Sequence, residues 1–352
     1  MSKLFAYSGI LTKVKGMESH LLTKKDYEDL SSLRSVNEYI LYLKSNKGYS
    51  TTFDTLNENH IHRGEIEYLL NLSIFTDFSK LYLFANQSQR MILDLFFARF
   101  EINLLKLLIT GHFSKSKQVD LTQYAEFFKK RTTLDINTLI SAPDLEQLIV
   151  TLKPTPYYAP LNALHESGVS VSLYDYENRL DVYYFLRTWK LSEHLKNKYD
   201  RKIIKQLIGT QIDFLNIMWT YRSKRFYNTP SSMIYSNIIP IHYKLTDATL
   251  NQLITAASPD DLLELLKHTP YRRLVSDLDD FHLEKRYYQL RLKFLHAIKM
   301  KYPLSMASIL YFFYEKEMEI DHLTTILECI RYQIQPNQIL TYLSLDQLEE
   351  ST

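Results

Sequence analysis

Residues 209–225, GTQIDFLNIMWTYRSKR, combine an apolar helical face with an acidic residue, an asparagine and a basic end. Residues 99–111, RFEINLLKLLITG, and residues 317–331, EMEIDHLTTILECIR, have a similar arrangement. This pattern predicts one structural unit that occurs three times in the chain. The polar residues aligned in this way are Asn103, Asn216 and His322, which lie 113 and 106 residues apart.

A second phrase, Leu-Lys followed by a tyrosine, also occurs three times, in residues 43–49, 152–157 and 266–271. In the second and third copies a Pro-Asp pair precedes the phrase, and both residues favour a helix start. The Thr-Pro pair before the tyrosine favours a helix end, because proline pushes the preceding residue out of the α region. We therefore predict three helical domains, at residues 1–113, 114–228 and 229–352.

Each predicted copy also carries an acidic residue in a helical stretch before the aligned polar residue: Glu67, Glu177 and Glu284. The separations of 36, 39 and 38 residues leave room for two antiparallel helices and a turn. We expect these six polar positions to be structurally equivalent across the copies.

The composition favours an all-α fold. The 352 residues contain only 7 glycines and no Asn-Gly or Asp-Gly turn pair, whereas apolar residues recur at helical spacing over long stretches. Because 42 basic residues nearly balance 40 acidic ones, the charge gives no indication of nucleic-acid binding.

The single cysteine, Cys329, excludes an intrachain disulfide and suits a reducing compartment. The N-terminal residues MSKLFAYSG lack the pattern of a secretory signal. The longest uncharged apolar run, residues 304–314, is much shorter than the roughly 20 residues that span a bilayer. We therefore expect a cytoplasmic chain with no membrane span.

No phosphate-binding loop, zinc-protease motif or nucleophile elbow occurs, so we expect neither catalytic residues nor a cofactor. An acidic cluster in the last third of the chain has two interpretations. It could form a hard-cation site, but acidic enrichment at a helix start explains the cluster as well and is favoured. His60 and His62 have no third ligand nearby, which argues against a zinc site. The acidic cluster comprises Asp277, Asp279, Asp280, His282 and Glu284.

Two further sets of residues allow alternative interpretations. The aligned polar residues either face a partner or bond a neighbouring helix in the core, and the second interpretation is favoured because buried amides need partners. Arg222, Lys224 and Arg225 are either solvated cations at a helix C-terminus or a basic rim that meets an acidic partner. The residues alone do not decide between these two roles for the basic cluster.

The chain resembles the C subunit of bacterial and archaeal V/A-type rotary ATPases, the counterpart of the eukaryotic d subunit. The likeness is carried by residues 14–30, by residues 177–184 together with 212–217, and by residues 314–331, in the same order along the chain. There are departures: Thr12-Lys13-Val14-Lys15 replaces an Ala-Arg-Val-Arg-like phrase. His322 replaces an asparagine, and Phe100 stands at an acidic position.

The resemblance implies a funnel of three similar helical domains in a pseudo-threefold arrangement around a central cavity. One mouth would rest on the membrane rotor ring of c-type (K) proteolipid subunits, and the other would receive the central stalk subunits D and F. The implied role is non-catalytic: the protein passes torque between the ATP-hydrolysing sector and the ring, so it is peripheral to the membrane. The candidate contacts with the stalk or ring are Arg222, Lys224, Arg225, Lys316 and Arg331.

Three other functions remain as alternatives. A generic helical scaffold shares the all-α fold but predicts no affinity for the stalk. A metal enzyme built on the acidic cluster predicts specific metal binding, and a nucleic-acid-binding role is disfavoured by the near-neutral charge.

Overall fold

The computed structural model describes residues 3–54, 56, 63–114, 128, 132, 134–167, 171–275 and 283–343. The regular structure in these ranges is helical and includes no β-strand, which confirms the predicted all-α class.

In chain order, α1 (Lys3–Glu18), α2 (Lys24–Ser32), α3 (Val36–Ser45) and α4 (Ser50–Phe53) precede two long helices, α5 (Arg63–Phe84) and α6 (Gln87–Ser114). Next come α7 (Ile136–Ile140), α8 (Leu145–Thr151) and α9 (Tyr158–His165), then the long helices α10 (Leu173–Glu193) and α11 (Lys198–Phe226). They are followed by α12 (Ser231–Asn237), α13 (Asp247–Thr255), α14 (Pro259–Lys267) and a 3-10 turn at Arg272–Leu274. The described chain ends with α15 (Leu283–Lys301), α16 (Met306–Arg331) and α17 (Pro336–Leu343).

Local sequence sets the starts of these helices. Thr23 and Asp26 form a capping box at α2, and Ser172 and Asp175 form another at α10. Ser258 caps α14, and the next residue, proline, occupies the first helical turn, where its missing N–H group costs nothing. Each such cap contributes about 1 kcal/mol by satisfying N–H groups that lack a partner within the helix.

The chain divides into two compact units. The first unit comprises Met1–Arg90 and Gln289–Thr352, and the second comprises Met91–Tyr288. The first unit therefore joins the two ends of the chain, and its helix α16 packs against α1, α2, α3, α5 and α17. The domain boundaries at residues 113 and 228 stay predictions.

The second unit is organised around α11, which packs against α10, α12, α13 and α14. Ile212, Phe214 and Ile217 of α11 are buried among these helices. Removing one such side chain from water contributes about 1.5–3 kcal/mol, so packing rather than helix propensity holds this helix in place.

Candidate functional site

A buried carboxylate on α11 accepts four hydrogen bonds from a single neighbouring segment and a tyrosine. Asp213 is 0% exposed, and its Oδ2 atom accepts from the amides of Lys244 (2.6 Å) and Leu245 (3.1 Å) and from the Tyr271 hydroxyl (2.7 Å). Its Oδ1 atom accepts from the amide of Tyr243 at 3.1 Å. Because these amides immediately precede α13, Asp213 fixes where the short helices begin relative to α11.

A matching carboxylate lies on α16 in the first unit. Glu319 accepts from the Tyr49 hydroxyl at 2.6 Å and from the amide of Leu22 at 2.5 Å, just before α2 begins. Lys316, one helical turn earlier, places its Nζ atom 2.7 Å from the same carboxylate and 2.8 Å from the Tyr49 hydroxyl. The ion pair and the tyrosine are buried together, so they connect the start of the chain to a helix near its end.

A third carboxylate of this kind is found on α6. Glu101 accepts from the Tyr157 hydroxyl at 2.5 Å and also from the hydroxyl of Thr132, two residues before Leu134. Leu134 immediately precedes Asp135, the cap of α7. Burial and the nearby Glu101 carboxylate raise the pKa of the Tyr157 hydroxyl, which therefore remains a hydrogen-bond donor.

We call these three arrangements the carboxylate clamps. Their acidic residues lie 112 and 106 residues apart, and each accepts from the tyrosine of the repeated Leu-Lys phrase. In each clamp a long helix of one predicted copy holds the short helices of another copy. The clamps centre on Glu101 with Tyr157, Asp213 with Tyr271, and Glu319 with Tyr49.

The clamps also correct the alignment of the first copy. Asn216 and His322 each lie three residues after their clamp carboxylate, and the corresponding residue of the first copy is Leu104. The placement of Asn103 is therefore off by one residue, as is the placement of Phe100 at the acidic position.

The aligned polar residues have different environments. Asn216 is buried, donates to the Ile239 carbonyl at 2.9 Å and accepts from the Ile239 amide at 2.8 Å. This pair of bonds is the core role that the sequence favours. Asn103 is exposed, whereas the half-buried His322 packs edge-on against Tyr27 with 5.4 Å between ring centroids.

Of the three predicted acidic positions, the two whose side chains are described have different partners. Glu67 pairs with Arg63 at 2.7 Å on α5, and Glu177 accepts from the Thr110 hydroxyl at 3.4 Å. Glu284 lies in α15, and its side chain is outside the described residues. The acidic positions that do correspond are those of the clamps.

The five predicted contact residues fall into two groups. Arg222 and Arg225 are exposed near the end of α11, and Arg331 is exposed at the end of α16 with Glu328 at 3.2 Å. The Lys224 ammonium donates to the Ala256 carbonyl at 2.7 Å, and burial lowers its pKa. Lys316 is only 2% exposed and is engaged in the Glu319 clamp, so it offers no surface to a partner.

Exposed aromatic side chains accompany the two arginines at the end of α11. Phe226 and Tyr227 are 65% and 77% exposed. Tyr174, at the start of α10, lies within electrostatic reach of both Arg222 and Tyr227. Aromatic residues and arginine are enriched at protein interfaces, so we define Tyr174, Arg222, Arg225, Phe226 and Tyr227 as the α11 patch.

The residues weighed as metal ligands and disfavoured in that role lie outside the described residues: His60, His62, Asp277, Asp279, Asp280 and His282. Within the part of the chain that is described, no three His, Cys, Asp or Glu residues converge as metal ligands would.

Cys329 is buried, and burial raises the pKa of its thiol. Among the described helices, none has the length and apolar composition that crossing a membrane requires.

The structure thus defines an all-helical protein with repeated clamps and exposed basic and aromatic patches. The family model of the ATP synthase (C/AC39) subunit matches residues 10–342, and the chain belongs to this family.

The sequences of related proteins align with nearly the whole length of the chain. The A-type ATP synthase C subunit of Pyrococcus horikoshii is 23% identical over 96% of this chain and 90% of its own. The corresponding C subunit of Methanobrevibacter smithii is 24% identical over 95% of this chain and 86% of its own. The C subunit of Thermococcus kodakarensis is 22% identical over 96% of this chain and 90% of its own. By family membership, the chain is therefore a subunit of an A/V-type ATP synthase.

Proposed function

We propose that this chain is the non-catalytic central-axis subunit of a V/A-type rotary ATPase. In this role it seats the central stalk subunits D and F on the membrane rotor ring of c-type (K) proteolipids. It transmits torque during ATP-coupled proton or sodium transport and stays on the cytoplasmic side, peripheral to the membrane. The match of the family model to residues 10–342 is the observation that carries the proposal.

The carboxylate clamps fit a part that bears load. A coupling protein has to resist the separation of its helices, and each clamp fastens a long helix to a segment that is distant in sequence. Tyr271 and Asp213 are 58 residues apart, and Tyr49 and Glu319 are 270 apart. Buried hydrogen bonds to charged groups contribute about 1.5–3 kcal/mol each and depend on direction, so the clamps add resistance to shear beyond that of the non-directional apolar contacts. Three similar helical domains arranged as a funnel around a cavity complete the proposal.

The α11 patch is our proposed contact with the stalk. Its two arginines favour an acidic partner surface, and its exposed aromatic rings provide large apolar contacts at low entropic cost. Arg331 is a second proposed contact, at the end of α16. Lys224 and Lys316 are not part of the proposed contact. The Lys224 ammonium donates to the Ala256 carbonyl, and Lys316 is buried in its ion pair with Glu319.

Binding to the purified D–F stalk of the same source tests this proposal. We expect the wild-type chain to form a stoichiometric complex on size exclusion, and the double variant Arg222→Glu/Arg225→Glu to bind at least tenfold more weakly. The control, Lys190→Glu/Lys202→Glu, makes the same change in net charge at exposed positions of α10 and α11 and should bind as the wild type does.

Each outcome has a distinct meaning. A folded wild-type chain that forms no complex at micromolar concentration would contradict the coupling role and favour a generic scaffold. A complex that tolerates the arginine reversal would refute the assignment of the α11 patch while leaving the coupling role intact.

A further inference from the structure

A strongly basic surface lies where α10 ends and α11 begins in the second unit. Residues 190–205 contain six lysine or arginine residues against two acidic ones, a net charge of +4 in a chain whose total is +2. Asp200 is buried, so Glu193 is the exposed carboxylate of this segment. We call the cations of this segment the basic corner: Lys190, Lys196, Lys198, Arg201, Lys202 and Lys205.

The basic corner has an inner and an outer layer. Arg201 and Lys205 are half-buried, and both contact Glu193. The Arg201 guanidinium donates to its backbone carbonyl at 3.5 Å, and the Lys205 ammonium lies 2.9 Å from its carboxylate. Glu193 is therefore paired within the inner layer. The outer layer consists of four exposed lysines, none of which forms an ion pair with a described residue: Lys190, Lys196, Lys198 and Lys202.

The groove next to the basic corner leaves this charge unbalanced. Asp94 of α6 and Arg187 of α10 line the groove together with Leu191 and Leu195. Because the carboxylate and the guanidinium carry opposite charges, the groove adds nothing to the net charge of the corner. The four outer lysines thus present an excess of positive charge to solvent.

The composition of the basic corner favours a bilayer over a protein partner. Protein interfaces are enriched in arginine and aromatic residues and depleted in lysine. The outer layer consists of lysines alone, and lysine interacts with phosphate as a flexible point charge that needs no fixed geometry. Tyr199, next to Lys198, is 46% exposed, and tyrosine is enriched where one end of the ring meets a membrane interface. A layer of anionic lipid headgroups has the matching chemistry.

Helix α11 separates the basic corner from the α11 patch. Lys198 and Lys202 lie at the start of the helix, and Arg222 lies near its end. The 20 residues from Lys202 to Arg222 correspond to roughly 30 Å at a rise of 1.5 Å per residue. This distance is several times the screening length of about 8 Å at physiological salt, so each surface can bind its partner independently.

We propose that the basic corner binds the headgroup layer of an anionic phospholipid bilayer. The outer lysines attract the headgroup phosphates, while Arg201 and Lys205 neutralise the one exposed carboxylate of the segment. The choice of a membrane as the polyanion rests on the proposed function, in which the chain sits on a membrane ring. One long helix then carries a lipid contact at its start and the proposed stalk contact at its end.

Co-sedimentation of the purified full chain with lipid vesicles tests this proposal without any ring protein. We expect binding to vesicles of phosphatidylcholine and phosphatidylglycerol in equal parts, and binding weaker by roughly tenfold or more to phosphatidylcholine alone. Raising the salt to about 0.5 M should release the chain, because the attraction is screened. Equal binding to the two kinds of vesicle would overturn the proposal.

Paired charge reversals locate the contact. Each lysine near an anionic bilayer strengthens binding roughly fivefold, so Lys190→Glu/Lys202→Glu should weaken vesicle binding by roughly tenfold or more. The control Arg222→Glu/Arg225→Glu makes the same change in net charge and should bind vesicles as the wild type does. Undiminished vesicle binding by the folded lysine variant would refute the proposal. If that variant fails to fold by circular dichroism, Lys196→Gln/Lys198→Gln replaces it, and unchanged binding in this milder variant would refute the proposal equally.

The stalk-binding assay separates this proposal from the proposed function. The lysine variant should lose vesicle binding and keep stalk binding, and the arginine variant should do the opposite. Loss of stalk binding in the lysine variant would make the basic corner a protein contact and overturn the lipid proposal. Tighter binding to a duplex DNA oligonucleotide than to vesicles at equal phosphate concentration would overturn it as well. A wild-type chain that binds vesicles but no stalk would contradict the coupling role and retain the lipid contact.

Discussion

Replacing Asp213 by asparagine tests the claim that the clamps are structural fasteners. The change keeps the size of the side chain, but the amide can place its one carbonyl oxygen at only one of the two carboxylate positions. If the carbonyl oxygen of the asparagine takes the place of Oδ2, the bonds from Lys244, Leu245 and Tyr271 are preserved. The amide nitrogen then faces the N–H group of Tyr243, which loses its acceptor.

The expected loss of stability follows from these four bonds. A buried donor without an acceptor costs about 1–3 kcal/mol. Each of the three remaining bonds weakens by roughly 1 kcal/mol, because a bond to a charged acceptor contributes about 1.5–3 kcal/mol and a neutral one about 0.5–1.5 kcal/mol. The neutral amide is easier to bury than the carboxylate, which offsets part of the sum. We therefore expect the second unit to lose about 4 kcal/mol.

Tryptophan fluorescence is a suitable assay because both tryptophans, Trp189 and Trp219, lie in the second unit. With a urea m-value of about 2 kcal/mol/M, the fluorescence midpoint should fall by roughly 2 M in Asp213→Asn. The control Asp247→Asn makes the same chemical change at an exposed residue paired with His242, and it should cost less than about 1 kcal/mol. Equal midpoints for Asp213→Asn and the wild type would refute the structural role of this clamp.

Two further predictions concern residues next to the clamps. A Cβ atom on Gly48 would lie 2.4 Å from the carbonyl oxygen of His20, so Gly48→Ala should lower the melting temperature measured by circular dichroism. Gly16→Ala, in open space on α1, should leave the melting temperature unchanged or raise it. A lower melting temperature for Gly16→Ala than for Gly48→Ala would contradict the close approach of Gly48 to the His20 carbonyl oxygen. Asn216→Ala should cost about 2 kcal/mol in urea unfolding because it removes both bonds to Ile239, whereas Asn103→Ala at the exposed position should change stability by less than about 0.5 kcal/mol. Similar losses in the two asparagine variants would argue against the corrected alignment.

The sequence predicts the helical class and the repeated Leu-Lys phrase because both depend on local patterns. Helix capping by Thr23 and the first-turn proline of α14 follow from the same short-range rules. The core role of Asn216 could also be anticipated, since an amide on an apolar helical face needs a partner.

The clamps could not be predicted, because the partners of each carboxylate are distant in sequence. Tyr49 and Glu319 are separated by 270 residues, and nothing in either local sequence indicates the other. Lys316 illustrates the same limit: a lysine is usually exposed, but this one is buried because Glu319 and Tyr49 satisfy its ammonium group. The sequence pattern selects Asn103 because it is the asparagine nearest to the equivalent position, which Leu104 occupies. The repeated carboxylate, at a spacing of 112 and 106 residues, is the sequence signal that gives the correct register.

The most direct measurement is the coupling of the whole rotary complex assembled with and without this chain. Our account predicts that without the chain the ATP-hydrolysing sector and its D–F stalk separate from the membrane ring, and ATP hydrolysis no longer drives ion transport in proteoliposomes. Adding back the purified chain should restore both attachment and transport. A complex that remains attached and pumps ions at the normal rate without the chain would contradict the central claim.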